Sequence, residues 1–220
     1  MPEYDQAMAD WVTISALATA GGTLVLAVAT DGSVRSANRS ARTAEVALRE
    51  QRRPVIVPSR LDDPLQKIMF GDRRWVHAEG GRGAIEHDDG IVYMALSLRN
   101  VGAGIGILHG WHVLADVGTS REHAPLADFR PQQRDLLIPP GDIGLWQGAL
   151  RDPEHDWHAV TVARVEDRDL FSSELLYSDQ VGEQRSISRF SIAPASDGET
   201  WMVSLTRHWD LEDDPPRRSR

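Results

Sequence analysis

No cysteine occurs in the 220 residues. Disulfides, thiolate metal sites and cysteine nucleophiles are therefore excluded, while either redox compartment stays open. The first ten residues have no basic group, only Glu3, Asp5 and Asp10. Residues 11–30 have no charge of either sign. No G-x-S-x-G elbow and no S-x-x-K pair occurs, so two common nucleophile signatures are missing. Beyond residue 54 no long segment of helical period is evident, which removes crossover helices and a parallel sheet from consideration.

What is present starts at the N-terminus. The charge-free segment WVTISALATAGGTLVLAVAT runs from Trp11 to Thr30. Twenty helical residues span about 30 Å, the thickness of a bilayer's hydrocarbon core. A transmembrane helix is expected over 11–30, behind a short tail at 1–10. Trp11 suits an interfacial anchor. Two other readings compete. A secretory signal would need a basic leading region, and this one is acidic. A buried helix of a soluble protein would show a polar face, and this segment shows none.

Residues 31–53 carry six arginines against Asp31, Glu45 and Glu50. Arg35, Arg39 and Arg42 are expected at the membrane interface, against acidic headgroups. The positive-inside tendency then places the N-terminus outside and the bulk of the chain in the cytoplasm, as a single-pass membrane protein. Residues 33–52 lack Gly and Pro and favour a juxtamembrane helical stalk. Val34, Ala37, Ala41, Ala44 and Leu48 follow heptad spacing, and small residues recur four apart at Ala16/Ala20 and Ala18/Gly22. Both patterns suit a homo-oligomer through span and stalk; packing on the chain's own domain and a small-residue-rich span are the alternatives. The stalk is expected to end at Arg53-Pro54.

From Pro54 the pattern becomes short β-branched and aromatic runs between turn residues. Strands are expected at 54–58, 74–79, 91–99, 105–115, 142–149, 158–166, 172–178, 185–193 and 199–207. The run at 91–99 is apolar on both phases, as for a strand buried on both faces. Asp88-Asp89-Gly90 signals a hairpin. The fold class is mainly β: an antiparallel β-sandwich over 54–210, then a charged, Pro-rich disordered tail at 211–220. The net charge of the chain is −9, and the acidic bulk argues against nucleic acid as a partner.

Three turns stand in a recognisable order. Asn100-Val101-Gly102-Ala103-Gly104 follows a long apolar strand; Pro139-Pro140-Gly141-Asp142 and Tyr177-Ser178-Asp179-Gln180-Val181-Gly182 come later. That order resembles bacterial immunoglobulin-like sandwich domains. Together with the N-terminal span and basic stalk, it is similar to uncharacterised actinobacterial single-pass membrane-anchored proteins. The resemblance implies an immunoglobulin-like fold and an anchor, and carries over no functional residues. Physically, the glycines at 102, 104 and 106 should supply positive φ or close approach. Pro140-Gly141 suits a type II turn, and Asp179 with Gly182 a short hairpin loop.

Chemistry is sparse. Gly102-x-Gly104-x-Gly106 leads into a strand rather than a helix, so a dinucleotide loop is not expected. His109 and His112 fall on opposite faces of a strand. Glu154, Asp156 and His158 are spaced i, i+2, i+4 and would share a strand face, where carboxylates and imidazole bind a divalent metal. The bland reading of that stretch is a solvated loop after Asp152-Pro153. Glu86-His87-Asp88-Asp89 reads as an exposed hairpin end. Trp75, Trp111, Trp146 and Trp201 sit in strand patterns and are expected in the core, while Trp157 and Trp209 suit a binding surface. No cofactor is expected. The leading expectation is a non-enzymatic module for protein interaction or scaffolding, with the lipid bilayer and a protein as partners. The alternatives are a ligand- or cation-binding sensory domain and a hydrolase of unrecognised type.

Overall fold

The computed structural model describes residues 2–114 and 120–211; in the first helix, side chains are described at 17, 19, 21, 23 and 26 and from 29 onward. The chain divides into two units, Met1–Arg49 and Glu50–Arg220. The first is one unbroken helix, α1 (Pro2–Glu50). It runs through residues 11–30, expected as a transmembrane span, and most of 31–53, expected as a stalk, and at 1.5 Å per residue its 49 residues extend about 74 Å. Among the described residues no helix is long and apolar enough to cross a membrane. Some of its described hydroxyls bond its own backbone: Thr23 Oγ1 donates to the Thr19 carbonyl at 2.8 Å and Thr30 Oγ1 to that of Leu26 at 2.7 Å. Leu26, Val34, Val46 and Leu48 are exposed.

Among the described residues, the second unit holds twelve strands, one short α-helix and a 3-10 turn at Leu126–Asp128, all strand pairs antiparallel. The strands are β1 (Ile56–Pro58), β2 (Gln66–Met69), β3 (Trp75–Ala78), β4 (Arg82–Asp88), β5 (Ile91–Asn100) and β6 (Gly106–Leu114). There follow β7 (Arg130–Pro131), β8 (Leu137–Ile138), β9 (Ile143–Leu150), α2 (His158–Glu166), β10 (Phe171–Ser178), β11 (Ser186–Pro194) and β12 (Trp201–Asp210). Ten strands join in the order β1-β5-β4-β12-β11-β10-β6-β7, with β9 on β5 and β8 on β6; β2 and β3 form a separate hairpin.

β5 is buried on both faces, as its double apolar phase requires. Val92, Met94, Leu96 and Leu98 join Trp111, Phe171, Phe190 and Trp201 in the main core. The opposite phase, Tyr93 and Ala95, meets Ile68, Phe70, Val76 and Ala78 of the β2–β3 hairpin. Residues from both ends of the strand order thus enclose one core. The β4–β12 pairing at Gly83↔Trp201 links the two halves.

The turns follow their chemistry. Asp89 and Gly90 both have positive φ, 48° and 72°, as a two-residue type I′ hairpin needs. Gly141 has φ 77°, and the Asp142 N–H donates to the Pro139 carbonyl at 3.2 Å, closing a type II turn. Asp179 Oδ1 accepts the N–H groups of Glu183 (2.9 Å) and Gln184 (3.2 Å). Close approach, not positive φ, explains Gly104: a Cβ there would lie 1.8 Å from the Arg52 carbonyl oxygen.

Several expectations are corrected. Residues 158–166 are helix α2, not a strand. The β-branched Val160, Thr161, Val162 and Val165 suggest a strand, but His158, Thr161 and Val165 are the buried set, at helical spacing. The anchors decide: His158 Nε2 meets the Gly90 carbonyl at 2.8 Å and the Thr161 hydroxyl donates to the Trp157 carbonyl at 2.6 Å. Strands β2, β4, β7 and β8 were not expected; charges and a glycine dilute the first two patterns, and the last two are only two residues long. Trp75 is not core but 57% exposed. The expected tail at 211–220 lies, from 212 on, outside the described residues.

The outer face of β10 and β11 carries a buried ion pair. Glu174 and Arg189 are cross-strand partners, and Arg189 Nη2 lies 2.6 Å from Glu174 Oε1 with both side chains almost wholly buried. Glu174 Oε2 accepts the Ala124 N–H at 2.9 Å; Arg189 donates to the carbonyls of Ser120 (2.8 Å) and Glu122 (2.6 Å). The pair therefore pins the segment after β6. Replacing one partner strands the other's charge, so Glu174→Gln or Arg189→Met should each destabilise by about 3 kcal/mol or more. The double replacement should cost well below the sum, read as the midpoint of urea unfolding.

Candidate functional site

The two halves of the strand order approach along a seam between β9 and the β6 edge strands. At one end the seam is closed. Gly144 of β9 lies against Ile138 of β8, so tightly that a Cβ would come within 2.5 Å of the isoleucine side chain. The Asn100 amide fastens that end: Nδ2 donates to the carbonyls of Gly104 (2.7 Å) and Ile138 (2.9 Å), and Oδ1 accepts from Val55 (3.1 Å) and Gly102 (3.0 Å).

At the other end the seam parts. β7 pairs with β6 over only two residues, Gly110↔Pro131 and Trp111↔Arg130. Between β7 and β9 lies a groove of about 370 Å³ lined by Phe70, Trp111, Arg130, Gln132, Gln147 and Arg151, among others. Gly148 lies flat on its aromatic wall, where a Cβ would sit 3.1 Å from the Trp111 ring. Arg130 stacks over the same indole, its guanidinium carbon 5.4 Å from the centroid. Arg130 Nη1 and Gln132 Oε1 are shielded from solvent and have no partner among the described residues.

A second concavity, about 440 Å³, adjoins the first through Arg134 and Gln147 and is lined by Lys67, Met69, Trp75, Asp135 and Leu145. Met69 and Trp75 are direct cross-strand partners on the hairpin. They stay 41% and 57% exposed, while their neighbours Ile68 and Val76 are buried. The two concavities together present Lys67, Arg130, Arg134 and Arg151 against one lining carboxylate, Asp135. This basic face stands on an acidic chain.

Arg151 is held from behind. It reaches Asp72 Oδ2 at 2.8 Å, and the Tyr93 hydroxyl donates to the same oxygen at 2.5 Å. The tyrosine hydrogen bond, more than Arg151, lowers the Asp72 carboxyl to about 2. Arg74 and Arg151 both lie over the Tyr93 ring, at 4.8 and 5.5 Å.

The residues singled out as metal ligands do not converge. Glu154 and Asp156 are exposed in the turns before α2, and His158 is the first residue of α2, tied to the Gly90 carbonyl. Among the described residues no group of three or more His, Asp or Glu is placed to hold a metal. The separation of Glu154, Asp156 and His158 follows from the helix: their shared face required a strand. The opposite faces expected for His109 and His112 are not kept: a bulge in β6 brings both Leu108 and Trp111 to the main core, so both histidines lie off it, His109 exposed against Ser178 Oγ at 2.7 Å and His112 buried opposite Glu174. Burial pushes the His112 imidazole below its usual range. His87 Nδ1 meets Glu166 at 2.9 Å, tying β4 to α2. Arg35, Arg39 and Arg42 are exposed on α1, Arg35 paired with Asp31 at 2.9 Å; the Trp11 side chain lies outside those described. Trp157 packs edge-on against His112 at 4.0 Å and Trp111 at 6.4 Å. Trp209 lies beneath Arg189, 5.0 Å from its guanidinium carbon.

Two groove features escaped the sequence reading. Trp75 had a signal: in Trp75-Val76-His77-Ala78 the small apolar residues alternate with the large ones, and the small set faces inward. The Arg130-Pro131-Gln132-Gln133-Arg134 stretch had only its composition. Compared with known families, curated proteins and solved structures, the chain matches none.

The state of Asp72 gives a pH signature. Its folded value lies below the ordinary 3.8, so it stabilises the folded chain above that value, and this is lost as pH falls towards about 2. The difference in unfolding midpoint between the native chain and Asp72→Asn should be constant near neutrality. It should shrink steadily between pH 3.8 and about 2.

Proposed function

We propose that the chain is a membrane-anchored, non-enzymatic interaction module whose immunoglobulin-like β domain binds another protein at the cytoplasmic membrane surface. The observation that carries the reading is the exposed Met69–Trp75 pair beside Arg130 and Arg134. An exposed tryptophan directly opposite an exposed methionine gives little to folding. Trp, Met and Arg are the residues enriched at protein interfaces, and Trp and Arg at their energetic centres.

The anchor rests on the charge-free stretch Trp11–Thr30 within one continuous helix. Its acidic front and arginine-rich back favour a cytoplasmic domain. The resemblance to anchored actinobacterial sandwich proteins agrees with both parts. A second reading, a small-ligand site, draws on the groove's size, which falls within the range of small-molecule pockets.

Trp75→Ala in the full chain tests the interaction. Cross-linking in membranes followed by co-purification should recover a protein with the native chain and at least tenfold less of it with the variant, at unchanged unfolding midpoint. Equal recovery of every protein would overturn the assignment of this face. Deleting residues 11–30 should release the protein from carbonate-washed membranes into the supernatant. Protease added to intact cells should leave residues 54–220 uncut; digestion of that domain would reverse the proposed orientation.

A further inference from the structure

The split seam has the form of a site for an added strand. β9 is hydrogen-bonded to β5 alone, over Ile143–Leu150. In an antiparallel strand, alternate residues turn their N–H and C=O groups to the other edge. At the closed end that edge is occupied by Ile138 against Gly144, and Gln66 Nε2 donates to the Gly144 carbonyl at 3.2 Å. Beyond it, from Trp146 to Leu150, no described residue outside β5 hydrogen-bonds to the β9 backbone. The groove runs beside that open stretch, and β7 bounds its far side.

Chemistry on the walls narrows the occupant. Arg130 and Arg134 have no carboxylate partner among the described residues, and the one lining acid, Asp135, already accepts from Gln147 Nε2 at 2.5 Å. Arg130 Nη1 lacks an acceptor and Gln132 Oε1 lacks a donor. An inorganic anion answers the first and leaves the second unmet. An acidic peptide answers the guanidinium groups with side-chain carboxylates and the open β9 edge with its main chain, which an inorganic anion cannot do.

We propose that the partner enters as an extended acidic segment that adds a strand to the free edge of β9, with its carboxylates on Arg130 and Arg134. This rests on the reading that the β domain binds a protein, and names the segment's chemistry and conformation. Main-chain hydrogen bonds supply affinity in such strand addition, and alternate side chains supply selection.

The probe is an acetylated and amidated octapeptide of alternating Glu and Thr, titrated calorimetrically into the full chain in detergent at low salt. Binding should be saturable. It should weaken at least tenfold when every Glu is replaced by Gln, and at least tenfold when alternate backbone nitrogens are methylated on the edge that would pair. Arg130→Gln with Arg134→Gln should weaken it comparably, with the circular dichroism of the native chain retained. The peptide arms need no variant, so a misfolded variant leaves the test intact. Equal binding of the methylated peptide overturns strand addition; equal binding of the Gln peptide overturns acidic recognition. Displacement of the peptide by equimolar inorganic phosphate would mean a simple anion site and overturn the proposal. Absence of peptide binding, with Trp75-dependent capture intact, overturns this inference and leaves the interaction reading standing. Peptide binding without Trp75-dependent capture overturns the assignment of the Met69–Trp75 face and leaves strand addition standing.

Discussion

The amide of Asn100 is the constraint on which the β domain's layout turns. Fully buried, it satisfies all four of its side-chain hydrogen bonds, to Val55, Gly102, Gly104 and Ile138. Its backbone adds two more, to Asp142 and Gly141. One side chain thus joins the entry to β1, the end of β5, the glycine loop and β8. A buried amide tolerates such a position only when every donor and acceptor is met. The seam is fastened at this end and parts at the other, where the groove lies.

The glycines of the 100–106 loop belong to the same constraint. Gly102 and Gly104 let the loop run against the backbone of residues 52–55, where no side chain would fit. What resembles a phosphate-binding signature is a packing device. The long double-faced strand β5 provides the second requirement. It leaves one phase for the main core and one for the β2–β3 hairpin, and this hairpin carries Met69 and Trp75 outward. Interior packing therefore positions the exposed pair.

The β-rich class, most strand positions and the turns were legible in the sequence, because each rests on local chemistry. The Asp89-Gly90 hairpin and the Pro140-Gly141 turn are the clearest cases. Helix α2 was not legible. Its valines favour a strand, and only long-range bonds from His158 to Gly90 and from His87 to Glu166 settle it. The expected metal ligands depended on that strand and separated with it. The groove was legible only in fragments, since Trp111, Arg130 and Gln147 meet through a seam between strands distant in sequence. The arginines of 130–134 lie in an irregular segment, where periodicity carries no information.

The pairing of Gly83 with Trp201 bears on the order in which the chain matures. α1 is stabilised by contacts four residues apart and can form while synthesis is in progress. The joint between β4 and β12 can form only when residues beyond 200 have emerged. A ribosome has therefore already released the charge-free helix, free to engage whatever surface it meets, before that joint can form. Until then the unpaired strands of the first half stand open to neighbouring chains. Early capture of α1 would fix where that vulnerable interval is spent.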